Sequence, residues 1–243
     1  MAGLLEGKTA CVVGGASAVG EGIVRVFLDE GAARVVVPAG SSEELADLRA
    51  RLTGAAGERL ETVEADAGEP AGAAKLREFL LASGAPLDVA VVSIDSSWKG
   101  PRLLDLPLEE WRRATASLTA HVVVAQTLLP LLENRAGATC LFLNTGAALA
   151  AVPNAAPVSI ASAAQLMLKN ALVAEAHEGS AVRILSLVIA APVLSRDREE
   201  GEPNWLSAED AGRYAAWLCS PAAAEMHGRN VVLRSRDDLP RGT

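Results

Sequence analysis

The chain has 243 residues, of which 50% are hydrophobic and 21% are charged, and its net charge is −8. This balance is typical of a soluble globular protein, and an acidic chain without a basic block is not expected to bind nucleic acid or an anionic membrane. The cysteines Cys11, Cys140 and Cys219 are scattered and form no CxxC pair, which predicts reduced thiols in a cytoplasmic protein.

The first predicted elements are a strand, a glycine turn and a helix. The apolar run Ala10–Val13 predicts a buried strand, Gly14 and Gly15 follow at once, and Gly20 lies at the head of an amphipathic helix. Glycines let the backbone approach an anion, and a helix N-terminus offers free N–H groups. The turn therefore predicts a phosphate site, although many such turns contain glycine only to reverse the chain.

The rest of the chain alternates between strands and helices. Further strands are predicted at Ala33–Val37, Leu60–Ala65, Asp88–Ser93, Thr139–Leu143, Val182–Ile189 and Asn230–Leu233. Further helices are predicted at Glu43–Leu52, Ala71–Ala82, Leu108–Leu132, Pro157–His177 and Ala208–Leu218, with Ser41 or Ser42 capping the first of these. This order predicts an α/β fold: one domain over residues 1–243, with a doubly wound parallel sheet of about seven strands and helices on both faces.

The motifs in this order resemble those of the short-chain dehydrogenase/reductase family over nearly the whole chain. They are VGGASAVGEGI at 13–23, Ala65-Asp66, LDVAV at 87–91, Glu110-Trp111 and SAED at 207–210. The resemblance implies a Rossmann-type fold and a hydride transfer between a nicotinamide ring and a carbinol or carbonyl carbon. A tyrosine would transfer the proton, a lysine four residues later would lower the pKa of that tyrosine, and a serine and an asparagine would assist.

The helix segment VSIASAAQL at 158–166 aligns with the family's Y-x-x-S-K-x-x-L pattern. In this alignment Ser159 stands at the tyrosine position, Ala163 at the lysine position, and Ser162 keeps the family's serine. The catalytic serine position is Gly146, with Thr145 beside it. The resemblance therefore predicts a degenerate member of the family without catalytic residues.

Neighbouring side chains are poor replacements for the missing groups. Ser117 stands at the asparagine position, and the only tyrosine, Tyr214, lies in the last predicted helix. Lys169 lies about 240° around its helix from the lysine position and is expected to face elsewhere. His121, four residues after Ser117, is expected to be structural, and the three histidines are too scattered for a metal site. Trp98 is expected to pack beside the crevice.

The cofactor positions are also altered. Ala18 replaces the middle glycine of the turn, Pro38-Ala39-Gly40 offers nothing to a ribose 2′-oxygen, and Asp95 adds a carboxylate where a cofactor would lie. We therefore expect no cofactor in this chain, with NAD or NADP bound by an active partner subunit. The residual cofactor-binding positions are Gly14, Ser17, Gly20 and Asp66.

The first functional hypothesis is a non-catalytic subunit that supports or regulates an active, homologous NAD(P)-dependent alcohol dehydrogenase, whose substrate is a hydroxyacyl-CoA or a similar compound. The two chains would form a heterodimer or heterotetramer, and self-association is an alternative. The expected contact residues are Val122, Val123, Val124, Leu128, Leu129, Leu166, Met167, Leu172, Val173, Val231 and Val232.

Three other hypotheses remain open. The first is a non-redox isomerase, lyase or cyclase that uses His121, Thr145, Ser159 and Asp95. The second is a module that binds a nucleotide without reacting it. The third is an ordinary reductase whose motifs lie elsewhere in the chain.

Overall fold

The computed structural model describes residues 3–94, 98–133, 135–176 and 179–240. Its main element is a seven-stranded sheet in the order β3-β2-β1-β4-β5-β6-β9, in which all neighbouring strands are parallel. The strands are β1 Thr9–Val13, β2 Arg34–Ala39, β3 Leu60–Glu64, β4 Val89–Val92, β5 Thr139–Thr145, β6 Arg183–Ile189, β7 Val193–Leu194, β8 Leu206–Ser207 and β9 Asn230–Leu233. The short strands β7 and β8 pair with each other outside the main sheet.

Helices cover both faces of the sheet. They are α1 Ala18–Asp29, α2 Ser42–Arg51, α3 Gly54–Gly57, α4 Pro70–Ala82, α5 Leu108–Leu132, α6 Ala156–Ala174 and α7 Ala208–Cys219. Each face has its own apolar cluster, one including residues of α1 and α7 and the other residues of α4 and α5. The predicted α/β fold with a doubly wound parallel sheet is confirmed.

The central strands are buried on both faces because their sequences are continuous apolar runs. Every residue of β1 and of β4 is buried. Alternate side chains of β1 belong to opposite clusters, with Val12 in one and Cys11 in the other. Burial raises the pKa of the Cys11 thiol to about 12, so this cysteine is an apolar core residue.

The predicted boundaries agree with the structure to within a few residues. Ser41 is the N-cap of α2, and its Oγ accepts a hydrogen bond from the Glu44 N–H. The predicted last turn of α6 differs, because the helix ends at Ala174 and His177 lies outside the described residues. The two-residue strands β7 and β8 were not predicted, since two residues are too few to show a period.

This topology brings several loops to one edge of the sheet. The carboxyl ends of parallel strands share an edge, and ligands of open α/β sheets bind there. The turn after β1, the start of the loop after β4, the end of β5 and the segment containing β7 all line cavities at this edge.

Candidate functional site

The glycine turn between β1 and α1 is required by the chain's own packing. Gly14 has a φ of +82°, and a Cβ there would lie 2.0 Å from the Ser93 carbonyl oxygen. A Cβ on Gly20 would lie 2.0 Å from the Gly14 carbonyl oxygen. Both glycines therefore allow close contact between α1, its turn and β4, whether or not a ligand binds.

The N-terminus of α1 is capped internally. Ser17 is its N-cap, and the Ser17 Oγ accepts a hydrogen bond of 3.1 Å from the Gly20 N–H. Ala18, the first residue of the helix, lines the space in front of the turn, so its methyl group lies where the middle glycine of the resembled family would stand.

Two cavities meet at this turn. The first, here called the β2 cavity, is lined by the turn and by residues that follow β2 and β3, and it measures about 370 Å³. The second, here called the β5 cavity, measures about 540 Å³. It lies between the end of β5, α6 and residues 191–198, which contain β7 and are here called the β7 segment. Both are lined by Ser17, Ala18, Ser93, Ile94 and Asp197, so together they form one cleft.

Carboxylates outnumber cations around the β2 cavity. Glu44, Asp66 and Asp197 line it, and Arg196 is the one cationic residue that the structure places in its lining. Asp66 Oδ1 accepts a hydrogen bond from the Gly68 N–H at 3.0 Å, so Asp66 also orders the loop that follows β3.

Arg196 is already held by other groups of the chain. Its guanidinium donates to Glu21 Oε2 and to the Ala16 carbonyl oxygen, each at 2.7 Å. Arg51 and Arg25 also donate to Glu21. Burial raises the pKa of Glu21, but the hydrogen bonds from Arg196 and Arg51 outweigh it and hold that pKa below the ordinary value. Arg196 thus ties the β7 segment to α1.

Neutral polar side chains line the inner part of the β5 cavity, whereas its two charged lining residues, Asp197 and Arg198, are exposed. Thr145 lies at the end of β5, and Ser162 and Gln165 lie on the inner face of α6. Asn144 fixes the two elements together: its Nδ2 donates to the Ser162 carbonyl oxygen at 2.9 Å, and its Oδ1 accepts from the Thr145 N–H at 2.7 Å. The Gln165 amide makes a long contact of 3.4 Å with the hydroxyl of Ser117.

The structure corrects the alignment of α6 by one residue. Ser159, the expected tyrosine position, does not line the cavity; its Oγ donates to the Ala155 carbonyl oxygen and accepts from the Val152 N–H. Ala163, the expected lysine position, is exposed and outside the lining, whereas Ser162 lines it. Ser162 is therefore the position of this helix that lines the cavity, and the residue four positions before it is Val158, which is buried.

The same one-residue shift changes which residue at the end of β5 aligns with the family's catalytic serine. Thr145 precedes Val158 by the same number of residues as Gly146 precedes Ser159, and Thr145 lines the cavity. Gly146 is instead confined by packing, because a Cβ there would lie 3.0 Å from the Ala190 Cα. Thr145 is thus the residue at the family's catalytic serine position, and Gly146 is not.

His121 is not part of the cavity lining. It is fully buried, and its Nδ1 lies 2.7 Å from the Ser117 carbonyl oxygen while its ring stacks near Phe142. Burial lowers the pKa of His121. Its Nε2 is enclosed without a hydrogen-bond partner among the described residues. The set expected for a non-redox enzyme is therefore not assembled, because only Thr145 of its described members lines the cavity.

Lys169 and Tyr214, which were not expected to replace the missing catalytic groups, lie away from the cavity. Lys169 is buried, and its Nζ donates to the Gly228 carbonyl oxygen at 2.6 Å, while burial lowers its pKa. Tyr214 packs edge-on against Trp217 in α7, and burial raises its pKa. Neither residue lines either cavity of the cleft.

The remaining sequence-based candidates have separate positions. Trp98 lines another cavity beside the N-terminal half of α5, and the ring of Trp205 lies beneath the Arg198 guanidinium at 5.5 Å. Asp95 and His177 lie outside the described residues. Within the described ranges, no cluster of three or more histidine, cysteine, aspartate or glutamate side chains could hold a metal ion.

A nicotinamide dinucleotide fits this cleft in size, and carboxylates predominate in the β2 cavity. The two cavities are contiguous and both border the glycine turn. Glu44 and Asp66, however, line the end where a ribose 2′-group would lie, and Arg196 is engaged by Glu21. The β2 cavity thus offers a diphosphate three carboxylates and one engaged guanidinium, and the other cation of the cleft, Arg198, is exposed in the lining of the β5 cavity.

A family model for short chain dehydrogenases matches residues 8–197. A rhamnolipids biosynthesis 3-oxoacyl-[acyl-carrier-protein] reductase of Pseudomonas aeruginosa is 35% identical over 135 residues, which are 55% of this chain and 51% of that protein. The matched region thus spans about half the length of that relative. A short chain dehydrogenase/reductase of Aspergillus novofumigatus is 25% identical over 93% of this chain and 80% of its own length.

Among solved structures, the RhlG/NADP active-site complex of Pseudomonas aeruginosa is 25% identical to this chain. It superimposes with a TM-score of 0.84 over 96% of this chain and 98% of that one. From the extent of the family match and this likeness of fold, the chain is a member of the short chain dehydrogenase family.

Proposed function

We propose that this chain is a non-catalytic subunit that supports or regulates an active homologue of the same family. The observation that carries the proposal is the face of α6 that meets the β5 cavity. It presents Ser162 and Gln165, with Val158 one turn earlier, where a tyrosine and a lysine would be needed. The substrate of the holoenzyme would be a hydroxyacyl or 3-oxoacyl thioester, a suggestion based only on the name of the Pseudomonas relative.

Proton transfer is the step that these residues cannot supply. A carbonyl that accepts a hydride needs a proton donor within hydrogen-bond distance and with a suitable pKa. No lysine or histidine is among the described residues that line the β5 cavity, and the one cation there, Arg198, is exposed with its guanidinium over the Trp205 ring at 5.5 Å. Tyr214 and Lys169, the chain's only tyrosine and the nearest lysine, lie outside the cleft.

Cofactor binding is expected to be weak or absent for the same chain. The carboxylates around the β2 cavity and the engaged guanidinium of Arg196 disfavour a diphosphate. In this proposal NAD or NADP is bound by the partner subunit. Gly14, Ser17, Gly20 and Asp66 then keep the structural roles described above.

The proposed contact surface is the outer side of α5 and α6, which pack against each other. From Ala114 to Leu132 the sequence of α5 contains no Asp, Glu, Lys or Arg, and Lys169, the single charged residue of α6, is buried. Met167 and Ile160 are 66% and 45% exposed on this side. A continuous helical surface without charge is typical of a protein interface.

The expected contact list needs one correction. Val124, Leu128 and Leu166 are buried within the subunit and are unavailable to a partner.

The helix α5 is long and apolar enough to cross a membrane, judged by length and composition alone. Its inner side packs against α6 and β4, and its buried residues Val124, Leu128 and Leu132 belong to the apolar cluster on one face of the sheet.

The test is copurification of the tagged full chain from its native host, with Met167→Glu as the variant and Leu81→Glu as its control. Leu81 is 52% exposed on α4, so both changes add one charge to an exposed apolar position. We expect the Met167 variant to lose an active homologue that contains Tyr-x-x-x-Lys, because a buried unpaired carboxylate is costly. The Leu81 variant should retain it.

Two results would contradict the proposal. One is equal recovery of the homologue with both variants. The other is recovery of this chain only as a homo-oligomer, which would assign the surface to self-association. Thermal unfolding of both variants must match that of the unaltered chain, so that loss of binding is not loss of folding.

A further inference from the structure

We propose that His121 makes the fold acid-sensitive: the packing of α5 against β5 accepts only the neutral imidazole, so mild acid destabilises the folded chain through this one side chain. His121 lies in the core beneath α5 and outside the lining of the cleft. Its effect is therefore independent of any ligand and of a partner subunit.

His121 occupies an apolar position of the core. It is fully buried, and its ring stacks near Phe142 of β5, with 6.3 Å between the ring centroids and 25° between the ring planes. Val124, Ala125 and Leu128 follow on the same side of α5 and belong to the apolar cluster that contains Phe142. A charged imidazole at this position would lose its hydration.

The hydrogen bonds of His121 favour one neutral tautomer. Nδ1 lies 2.7 Å from the Ser117 carbonyl oxygen, which can only accept, so Nδ1 carries the proton and donates it. Nε2 is then the basic nitrogen, and it is enclosed without a hydrogen-bond partner among the described residues. Ser186 Oγ, on β6 opposite Phe142, is also enclosed and does not accept from Nε2. A second proton on the ring would therefore have no acceptor among these residues.

The charged groups around α5 do not offset a charge on His121. α5 packs against α4, α6, β4 and β5, and neither β4 nor β5 contains a carboxylate. The thiol of Cys140 on β5 stays neutral, because burial raises its pKa. On α6 the one charged residue is the buried Lys169, a cation that donates to the Gly228 carbonyl oxygen. The charged residues of α4 and of the loop before it are all exposed; they are Asp66, Glu69, Lys75, Arg77 and Glu78.

These surroundings make protonation unfavourable in the folded chain but not in the unfolded chain. Burial lowers the pKa of His121 below its ordinary value of 6.5, although the hydrogen bond to Ser117 opposes that shift. The unfolded chain then binds more protons, so the stabilisation is complete above pH 6.5 and is lost as the pH falls below that value. One proton can change the folding equilibrium by at most about tenfold per pH unit. Carboxylates titrate lower, near about pH 4.

The test is urea unfolding of the full chain, followed by circular dichroism, between about pH 7.5 and about pH 5.5. We expect the folding equilibrium constant of the unaltered chain to fall several-fold below pH 6.5 and that of His121→Phe to stay level. Phenylalanine keeps an aromatic ring near Phe142 and cannot take up a proton. An equal fall in His121→Phe, or no fall in the unaltered chain, would overturn the proposal.

The matched control is His227→Asn. His227 is exposed, and its Nδ1 accepts a hydrogen bond from the Ile184 N–H at 3.2 Å, which the asparagine side-chain oxygen can replace. This variant removes an imidazole from the surface and should keep the acid-dependent fall of the unaltered chain. If the fall disappears in His227→Asn and persists in His121→Phe, the assignment to His121 is wrong.

A measurement on the unaltered chain does not depend on the folding of any variant. The His121 ring proton is identified by NMR through its contact with the Phe142 ring, and its chemical shift is followed over the same pH range. We expect the resonance of the folded chain to keep the position of a neutral imidazole below pH 6.5. A titration of the folded chain with its midpoint at or above 6.5 would contradict the proposal.

Discussion

Ser162 and Gln165 define the candidate site, although neither residue attracts attention in the sequence as a binding group. The pattern VSIASAAQL has serines at two positions that differ by less than one helical turn, so a one-residue shift of alignment exchanges which of them faces the cavity. The sequence correctly indicated that no tyrosine or lysine stands in this segment. Only the packing of α6 against β5, fixed by Asn144, shows which face of the helix lines the cavity.

The alignment can be tested by restoring a tyrosine and a lysine. In the double variant Val158→Tyr with Ser162→Lys, we expect the introduced tyrosine to titrate below the ordinary pKa of about 10, because a lysine at the cavity stabilises the phenolate. Ultraviolet titration at the phenolate band measures this pKa. The native Tyr214 does not interfere, because burial raises its pKa.

The matched control is Ser159→Tyr with Ala163→Lys. Ala163 is exposed, so water screens the introduced ammonium and the tyrosine pKa should fall less or not at all. If the pKa of the introduced tyrosine falls further in the control than in the first pair, the tyrosine and lysine positions of the family align with Ser159 and Ala163 after all.

At the scale of elements, the start of α7 shows how a capping motif can be read from sequence while its ionic partners cannot. SAED at 207–210 forms a capping box: Ser207 Oγ accepts from the Asp210 N–H, and Asp210 Oδ2 accepts from the Ser207 N–H. Asp210 also accepts from Arg213 and from Arg236, the latter 26 residues away. The local pair follows from spacing, whereas the contact with Arg236 depends on the tertiary fold.

Asp210 should make the free energy of unfolding depend on pH in the acidic range. Burial raises the pKa of its carboxyl, but hydrogen bonds from Ser207, Arg236 and Arg213 outweigh this and hold the pKa below its ordinary value of 3.8. Its contribution is then complete above the ordinary value and is lost as the pH falls through the lower pKa of the folded state. Asp210→Asn should lower the free energy of unfolding by about 2 kcal/mol near pH 7, and the difference should shrink in acid.

Urea unfolding followed by circular dichroism at several pH values measures this difference. Asp105→Asn is the control, because Asp105 is exposed and its side chain makes no salt bridge or hydrogen bond with another described residue. A pH-independent difference for Asp210→Asn would show that its charge does not contribute.

At the scale of the whole molecule, the alternation of apolar runs and amphipathic segments was sufficient to predict the parallel sheet. Its central strands β1 and β4 are continuous apolar runs, and glycine or polar loops separate the strands from the helices. The direction of side chains on α5 was less predictable, because most positions between Ala114 and Leu132 are apolar or small. Val124 therefore proved to be core, although it had been expected at an interface.

In the proposed function, the subunit keeps the family's fold while performing a different task. The glycine turn is required by packing, carboxylates line the β2 cavity, and α6 presents neutral groups to the β5 cavity. Catalysis by such a fold depends on a few side chains, whereas its assembly depends on whole helices. Loss of the former is therefore compatible with retention of the latter.

The most direct measurement is the consumption of reduced nicotinamide by the purified chain alone. NADH or NADPH and a 3-oxoacyl thioester are supplied at saturating concentration, and the absorbance of the reduced nicotinamide is followed with the protein in stoichiometric amount. For a non-catalytic subunit we expect a rate indistinguishable from that of the buffer, because no tyrosine or lysine is among the described residues that line the cleft. Turnover that depends on the protein and is abolished by Thr145→Val would contradict it.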